Sequence, residues 1–275
     1  MVDKQVNKEV LGIIAGNGSL PLQLAEELKR RDLPFVIVAH INETNPEIAK
    51  YCDDVYWIKV GQLSAPLNFF KKQGVKSAVL VGGIARIKTL RSFRPDLRGL
   101  KLIWRAQSFR DDAILRAIIS EIENEGIKII SVADLLPDIL VNEGVLTRRA
   151  LSEAERADAE IALEAARLIG KADIGQTVVA KNKTIVAVEG IEGTDATIKR
   201  AGQLVGAGCV VVKILKPHQD QRADLPVIGE RTIQSMREAM ASALVVQAGK
   251  TIILDPNGVV NGANKFGMAI EAWSV

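Results

Sequence analysis

Residues 11–21 read Leu11-Gly12-Ile13-Ile14-Ala15-Gly16-Asn17-Gly18-Ser19-Leu20-Pro21. The first five residues form a short apolar run, which is typical of a buried strand, and the glycine-rich turn after them ends that strand. Proline favours the first turn of a helix, so we expect a helix to begin near Pro21. A strand, a tight turn and a helix in this order predict a unit built on parallel strands.

The same alternation of strand and helix continues downstream and predicts a parallel α/β sheet. We therefore expect a Rossmann-like N-terminal domain over residues 1–134, followed by a linker over residues 135–151. The further elements expected in that domain are buried strands at 35–38, 55–58, 78–81 and 127–132 and an amphipathic helix at 111–125.

The second half of the sequence, residues 152–275, is predicted to be a mixed α+β C-terminal domain that carries the catalytic residues. Ser152 and Glu155 have the spacing of a capping box, which indicates a helix that extends to Gly170. The pattern leaves the topology of this domain open. The other expected elements are a β-hairpin over 177–188, a helix from Thr194, a strand at 210–212, a helix from Thr232 to about Gln247, a strand at 252–254 and a turn at 255–258.

The composition excludes several kinds of chemistry and of partner. The 275-residue chain has 36 Lys and Arg against 33 Asp and Glu, with two His and two Cys. So few His and Cys exclude a His-rich zinc cluster and a disulfide framework, and acid–base chemistry therefore falls to carboxylates, lysine or a metal. A net charge of +3 and 4% aromatic residues are too little for a nucleic-acid-binding protein.

The sequence predicts a cytoplasmic protein, because it has no secretory signal pattern at residues 1–4 and no run of about 18 apolar residues. From Arg86 to Arg110, however, eight Lys and Arg and a single acid are interleaved with bulky apolar residues. Such a stretch favours contact with an anionic membrane surface or with an anionic substrate that has an apolar tail. A surface helix whose basic side chains cover the core is the other interpretation.

Two glycine turns mark the expected carboxyl edge of the N-terminal sheet, where open α/β sheets bind ligands. They are Gly16-Asn17-Gly18-Ser19-Leu20 and Gly82-Gly83. A turn that opens a helix suits a phosphate, although a turn that needs glycine only for its backbone explains the pattern as well. The third glycine of the dinucleotide motif is missing, and strand two ends in Ala39-His40 without an acid for a ribose, so an NAD-dependent oxidoreductase is disfavoured.

Carboxylates gather in two blocks of the second half. Glu189, Glu192 and Asp195 follow a predicted strand, and the polar loop from Lys216 to Arg231 contains Asp220 and Asp224. Carboxylates bind Mg²⁺, and the nearby Lys213, Lys216 and Arg222 are suited to neutralising phosphate. Structural salt bridges on a surface loop are the alternative interpretation. His40 is expected to be structural, and His218 is expected to be a solvent-facing or hydrogen-bonding residue rather than a catalytic base.

Taken together, these segments resemble the LpxI-type UDP-2,3-diacylglucosamine pyrophosphatases of lipid A biosynthesis. Arg110 departs from the family pattern, because the family usually has Gly before the Asp pair. The segments that carry the resemblance are residues 11–21, Asp111-Asp112-Ala113-Ile114-Leu115-Arg116-Ala117, Asp173-Ile174-Gly175-Gln176, Glu189-Gly190-Ile191-Glu192-Gly193-Thr194-Asp195 and residues 216–229.

The resemblance implies Mg²⁺-dependent hydrolysis of the diphosphate in UDP-2,3-diacylglucosamine to UMP and 2,3-diacylglucosamine 1-phosphate. It also implies two α/β domains that hold the substrate between them, and Asp224 in the position of the family's essential aspartate. The expected partners are this lipid substrate and the inner-membrane surface of a lipid-A-making bacterium, and a homodimer is left open. The competing function is a nucleotide-sugar or lipid-diphosphate binding protein without catalysis.

These interpretations assign a role to each candidate residue. Catalysis is assigned to Asp224, Asp220 and Arg222, and metal binding to Asp224, Glu189, Glu192 and Asp195. The residues assigned to substrate contacts are Gly16, Asn17, Gly18, Ser19, Leu20, Gly82, Gly83, Gln176, Thr194, Lys213 and Lys216.

Overall fold

The computed structural model of the chain describes residues 9–84, 94–105 and 111–275, which divide into two compact units at the Pro137–Asp138 bond. The N-terminal unit contains a five-stranded parallel sheet in the order β3-β2-β1-β4-β5, which confirms the predicted fold class. Its elements are β1 (Leu11–Ala15), α1 (Leu20–Arg30), β2 (Phe35–His40), the 3₁₀ turn Pro46–Lys50, β3 (Val55–Ile58), α2 (Ser64–Lys72), β4 (Ser77–Val81), α3 (Leu97–Arg105), α4 (Asp111–Asn124), β5 (Lys128–Ile130), α5 (Val132–Leu135) and the start of the 3₁₀ turn Pro137–Ile139.

β1 is the central strand of this sheet and pairs over all five of its residues with both β2 and β4. Ile13 is fully buried, as are Leu24 and Leu28 on the inner face of α1. α1 begins at Leu20 with Pro21 in its first turn, where the missing amide hydrogen of proline costs nothing. Because the chain leaves β1 toward β2 and later returns to β4 on the other side, the carboxyl ends of β1 and β4 form the topological switch point of the sheet.

The carboxylate of Asp96 connects the beginnings of α2 and α3. Its Oδ2 accepts hydrogen bonds from the backbone amides of Leu63 and Ser64 at 3.0 and 2.7 Å, and its Oδ1 accepts one from Gly99 at 2.8 Å. Partial burial opposes ionisation, but these amides outweigh it and hold the pKa of Asp96 below its ordinary value. Asp96 therefore fixes α3 to the rest of the unit.

The C-terminal unit contains a six-stranded mixed sheet in the order β6-β13-β11-β9-β7-β8 and a two-stranded parallel sheet, β10-β12. Strands β9, β11 and β13 are parallel, whereas β6 and β7 run antiparallel to their neighbours. Its elements are β6 (Gly144–Val145), α6 (Glu153–Lys171), β7 (Thr177–Lys181), β8 (Thr184–Val188), α7 (Thr194–Val205), β9 (Val210–Lys213), β10 (Val227–Ile228), α8 (Glu230–Glu238), β11 (Ala243–Gln247), β12 (Ile252–Ile253), α9 (Pro256–Lys265) and β13 (Ala269–Trp273).

Helices cover both faces of the mixed sheet, because alternate residues of its strands point to opposite sides. Val211 and Leu244 pack with apolar residues of α7, α8 and α9, whereas Val210 and Val245 pack on the opposite face with α6. The capping box predicted at Ser152 is confirmed, since its hydroxyl accepts from the Glu155 amide while the Glu155 carboxylate accepts from the Ser152 amide. The predicted hairpin is confirmed as β7 and β8.

Two predictions for this unit are wrong. The helix expected from Thr232 to Gln247 ends at Glu238, and Ala243–Gln247 is a strand instead. Four of these five residues are buried between two parallel neighbours, so the tertiary context outweighs the helical pattern. The turn expected at 255–258 is the start of α9, in which the Asp255 carboxylate accepts from the Gly258 amide at 3.0 Å.

The segment that the sequence assigns to a linker joins the C-terminal unit from Asp138 onward. The amide of Val141 donates to Thr251, and β6 pairs with β13. Among the described residues, no helix is long and apolar enough to cross a membrane. Residues 86–93 and 106–110 of the basic stretch, which include Arg110, lie outside the described part of the chain.

Substituting Asp96 by Ala should lower the free energy of unfolding of the N-terminal unit by about 1–3 kcal/mol, because three amide donors lose their acceptor. The folded state lowers the pKa of Asp96 below its ordinary value of 3.8, so the ionised carboxylate stabilises the fold at pH values above 3.8. This stabilisation is lost as the pH falls below that value. The difference between Asp96→Ala and wild type should therefore shrink below about pH 4 in denaturant titrations. The exposed Asp53→Ala is the matched control, and an equal effect of both variants would contradict this role.

Candidate functional site

The topology of the mixed sheet brings several of the predicted residues to one edge. β9 ends at Lys213, and Thr177 at the start of the antiparallel β7 is its direct partner in the ladder. β8 ends at Val188, which pairs with Val178, so Glu189 follows at the same edge. Residues that are far apart in sequence therefore meet where β9 ends and the loop toward α8 begins.

Glu189 is a buried carboxylate held by its neighbours at this edge. Its Oε2 accepts from the backbone amide of Gln176 at 3.3 Å, and its Oε1 accepts from the Thr194 hydroxyl at 3.2 Å. The Thr194 hydroxyl also lies 3.1 Å from the hydroxyl of Thr177, which links β7, β8 and the start of α7. The side-chain oxygen Oε1 of Gln176 is buried, and no donor in the described part of the chain reaches it, so its capacity to accept a hydrogen bond is unused there.

Lys213 places a buried cation among these acids. Its side chain is 7% exposed, and its ammonium donates to the backbone oxygen of Val227 at 2.8 Å. Burial lowers the pKa of Lys213, and the negative charges of Glu189, Asp195 and Asp224 act in the opposite direction. The site therefore combines one enclosed ammonium with three carboxylates, Glu189 and Asp195 from one of the acid blocks that the sequence singled out and Asp224 from the other.

The loop that follows β9 is held by ion pairs. The Lys216 ammonium donates to Asp173 at 2.8 Å, and both side chains are at least four-fifths buried. Asp220 accepts from the backbone amide, Nε and Nη2 of Arg222, at 2.8 to 3.0 Å. The amide of Asp224 donates to the backbone oxygen of Asp220 at 2.9 Å. Asp220 therefore orients Arg222 and shapes the turn that presents Asp224.

The predicted metal ligands are not arranged as a ready-made metal centre. Glu192 accepts from Arg200 at 2.7 Å and from the Thr197 hydroxyl at 3.3 Å, and Asp195 pairs with the exposed Arg231 at 3.2 Å. In residues 9–84, 94–105 and 111–275, no three His, Cys, Asp or Glu side chains are grouped to hold a metal. The donor set suits Mg²⁺ that binds one or two carboxylates and completes its shell with water and substrate phosphates.

In the N-terminal unit, the two glycine turns contact each other through their backbones. The amide of Gly16 donates to Val81 at 2.8 Å, and the amide of Asn17 donates to Gly83 at 2.7 Å. A Cβ atom on Gly16 would lie 2.3 Å from the Gly83 oxygen, and Gly82 has a φ of +84°. These glycines therefore serve a close approach of the loops after β1 and β4, and two of the amides expected to bind phosphate are already used.

The structure adds Glu43, which the sequence analysis missed, to this edge. Its Oε2 accepts from the side-chain amide of Asn17 at 2.9 Å. His40 ends β2, and its Nδ1 lies 2.9 Å from the backbone oxygen of Ala15. Because a carbonyl oxygen can only accept, Nδ1 is the donor. Burial lowers the pKa of His40. Glu43 lies three residues beyond the end of β2, so it does not occupy the strand-end position at which a ribose-binding acid is expected.

A cleft of about 570 Å³ lies between α3 and α4, with Ser64 at the start of α2 in its wall. Leu97, Lys101 and Glu121 are among the residues that line it. None of the residues assigned to catalysis, substrate or metal lies in its wall. Within the described residues, the sheet edges rather than this cleft collect the predicted chemistry.

Comparison with known proteins assigns both units to the same family. Residues 10–139 match the LpxI N-terminal domain, and residues 142–271 match the LpxI C-terminal domain. The UDP-2,3-diacylglucosamine pyrophosphatase LpxI of Caulobacter vibrioides is 30% identical over 272 residues, which cover 94% of this chain and 96% of that protein. Among solved structures, the biotin carboxylase subunit of pyruvate carboxylase matches at a TM-score of 0.27 and 12% identity over 70% of this chain and 41% of that chain, a likeness too remote for any argument.

Replacing Gly16 by Ala should destabilise the N-terminal unit by about 1–3 kcal/mol, because its methyl group meets a backbone oxygen that cannot move independently. The matched control is Gly18→Asn in the same turn, where φ is +91° and nothing lies within 4 Å of a Cβ atom. Asparagine tolerates positive φ, so this control should lose less than about 1 kcal/mol. Thermal unfolding of the two variants measures the difference, and equal losses would show that the contact of the two loops is unimportant.

Proposed function

The chain belongs to the LpxI family, and from that premise we propose that it hydrolyses the diphosphate of UDP-2,3-diacylglucosamine to UMP and 2,3-diacylglucosamine 1-phosphate. Family membership makes the chain an enzyme, a hydrolase, rather than a binding protein without catalysis. The observation that carries the assignment of a diphosphate substrate is the edge of the mixed sheet, where the buried Lys213 ends β9 beside Thr177 and Glu189 follows β8, with Asp195 and Asp224 near enough to act on the charge of Lys213. This edge offers both the cations that a diphosphate needs and the carboxylates that handle water and protons.

In the reaction, a water oxygen forms a bond to one phosphorus while the bridging P–O bond breaks, and a water proton is released. Most of the catalysis of phosphoryl transfer comes from positioning and from charge neutralisation. Lys213, Lys216 and Arg222 are the cations that we assign to the phosphate oxygens. Their positions are set in advance by Val227, Asp173 and Asp220, respectively.

We assign to Asp224 the orientation of the attacking water and the acceptance of its proton. Asp224 follows the turn shaped by Asp220, whose carboxylate is engaged by Arg222, so Asp220 acts as a positioning residue. Glu189 is held by the Gln176 amide and the Thr194 hydroxyl and contributes negative charge that balances Lys213. The Gln176 Oε1 atom is suited to accept a hydrogen bond from the substrate.

Mg²⁺ is the cofactor that we propose, with Asp224 and Asp195 as the carboxylates that would hold it together with phosphate oxygens. When bound, it supplies positive charge to the phosphates and lowers the pKa of a bound water. Glu192 is a weaker candidate, since Arg200 at 2.7 Å and the Thr197 hydroxyl both engage its carboxylate, whereas Asp195 faces the exposed Arg231 at the longer distance of 3.2 Å.

The N-terminal unit is proposed to bind a hydroxyl-bearing part of the substrate. Glu43 and Asn17 form a polar pair beside the turns after β1 and β4, at the switch point where such sheets bind ligands. A carboxylate accepts from hydroxyl groups and repels phosphate, so the ribose or glucosamine hydroxyls fit Glu43 better than the diphosphate does. The remaining predicted contacts of this turn, Gly18, Ser19 and Leu20, stay predictions.

Because the proposed substrate carries two acyl chains, we propose that the enzyme meets it at the cytoplasmic surface of the inner membrane. The interleaved basic and apolar residues of the 86–110 stretch support this location. The homodimer stays a prediction.

Asp224→Asn should retain the fold and lower kcat for release of UMP by at least about 10²-fold, the loss typical of a positioned proton-transfer group. The exposed Asp138→Asn is the matched control and should be as active as wild type. Near-normal activity of Asp224→Asn would remove this residue from the site.

Addition of EDTA should abolish turnover and Mg²⁺ should restore it, whereas activity that is insensitive to EDTA would contradict the Mg²⁺ proposal.

Glu43→Gln should raise KM for the nucleotide sugar by about 10-fold with little change in kcat, because the hydrogen bond that a substrate hydroxyl donates to the charged carboxylate is replaced by a weaker one to a neutral amide oxygen. Glu47→Gln, a nearby substitution of a surface glutamate that pairs with Lys50, is the control. Comparing substrates that lack the ribose 2′-hydroxyl or the glucosamine 6-hydroxyl would identify the bound group, since its absence should raise KM less in Glu43→Gln than in wild type. A fall in kcat at constant KM would contradict a binding role.

A further inference from the structure

Helix α3 presents large apolar side chains to the solvent. Leu97, Leu100 and Trp104 are 79%, 51% and 85% exposed. Their spacing of three and four residues places them on one stripe of the helix. In a helix that lies on a globular unit, such a stripe normally faces the core. α3 therefore has its apolar stripe on the outside.

The opposite side of α3 is fixed to the protein, so the helix cannot simply roll over to bury this stripe. Leu102 is buried, and the guanidinium of Arg98 pairs with Glu121 and Glu125. A Cβ atom on Gly99 would lie 2.2 Å from the Gly61 oxygen, so the helix backbone rests directly on the loop before α2. The Asp96 cap holds the first turn in the same orientation.

The sequence on either side of the stripe indicates the chemistry of its partner. Residues 86–110 contain eight Lys and Arg and a single acid, and that acid, Asp96, is engaged by three backbone amides. Lys101 is exposed and follows Leu97 by one helical turn, on the same side as Trp104. A tryptophan and leucines beside lysine match the boundary between the headgroups and the acyl chains of an anionic bilayer.

We propose that α3 docks on an anionic lipid bilayer, with Leu97, Leu100 and Trp104 inserted at the level of the headgroups and Lys101 at the lipid phosphates. A second copy of the chain fits this face less well. A stable dimer buries about 800 Å² on each partner, more than three side chains provide, and pairing would bring two basic stretches together. The inference specifies the membrane contact of the proposed function. Vesicle binding without substrate tests it separately from hydrolysis.

The experiment uses the full chain and compares binding to vesicles of phosphatidylcholine alone with binding to vesicles that contain about 30% phosphatidylglycerol. We expect binding to the anionic vesicles to be at least about 10-fold stronger and to weaken in about 0.5 M NaCl. The variant Leu97→Ser/Leu100→Ser/Trp104→Ser should lose at least about 10-fold in binding to anionic vesicles while unfolding like wild type, because the replaced groups are exposed. Lys101→Glu should weaken binding in the same direction.

The matched control is Leu168→Ser/Leu204→Ser, which removes two leucines that are 62% and 63% exposed on helices of the C-terminal unit. This control should bind vesicles as wild type does. Equal binding of the triple variant and wild type would overturn the inference, as would equal binding to zwitterionic and anionic vesicles. Concentration-dependent dimerisation that the triple variant abolishes would overturn it in favour of a second copy. Hydrolysis of detergent-dispersed substrate should be unchanged in the triple variant. If wild type binds vesicles but hydrolyses no substrate, the proposed function is wrong while the membrane inference stands.

Discussion

The burial of a lysine ammonium at the carboxyl end of β9 constrains everything around it. Taking a charge out of water costs several kcal/mol unless opposite charge and hydrogen bonds replace the lost hydration, which is about the size of the whole stability of a domain. Lys213 receives one hydrogen bond acceptor from Val227 and the field of three carboxylates. The acids of this edge therefore stabilise the buried charge of Lys213, and the same acids are the ones that we assign to the reaction.

The order of the strands explains why these groups meet. The sheet of the C-terminal unit places the antiparallel β7 beside the parallel β9, so the start of one strand and the end of the other lie at one edge. Glu189 then follows β8 at that edge, and Thr194 begins the next helix immediately afterward. The chain brings Thr177 and Glu189 to the same edge through a short connection, because the hairpin joins the end of β7 at Lys181 to the start of β8 at Thr184.

The sequence predicts the parallel half of the fold well, because buried parallel strands read as continuous apolar runs such as residues 11–15 and 78–81. It fails where one pattern has two meanings. Residues 243–247 are as apolar as a helix core, and only their position between β9 and β13 makes them a strand. Asp255 followed by Pro256 is a turn signature and equally the cap and first residue of α9.

The sequence predicts which segments carry the residues of the candidate site, but it does not predict which of these residues lie close together. Local density of ionic residues points to the loop after Lys216 and to the acids from Glu189 to Asp195, since such clusters are visible in one dimension. Which of them face one another is decided by pairing between strands, and this is why Glu192, although it lies in the same block, is engaged by Arg200 instead. Glu43 is missed because its partner, Asn17, is 26 residues away.

The ion pairs of the loop after β9 also change the meaning of a nearly neutral chain. A site for a diphosphate is expected to be basic, yet Asp173 holds Lys216 and Asp220 holds Arg222. Cations that are already oriented lose less conformational freedom when an anion arrives, and they need no reorganisation as charge develops on the phosphate oxygens. The paired acids therefore weaken the attraction for a distant anion but keep the cations in place for a bound one. A balance of 36 basic and 33 acidic residues is compatible with an anion site for this reason, since what matters is where each cation is held and not how many exceed the acids.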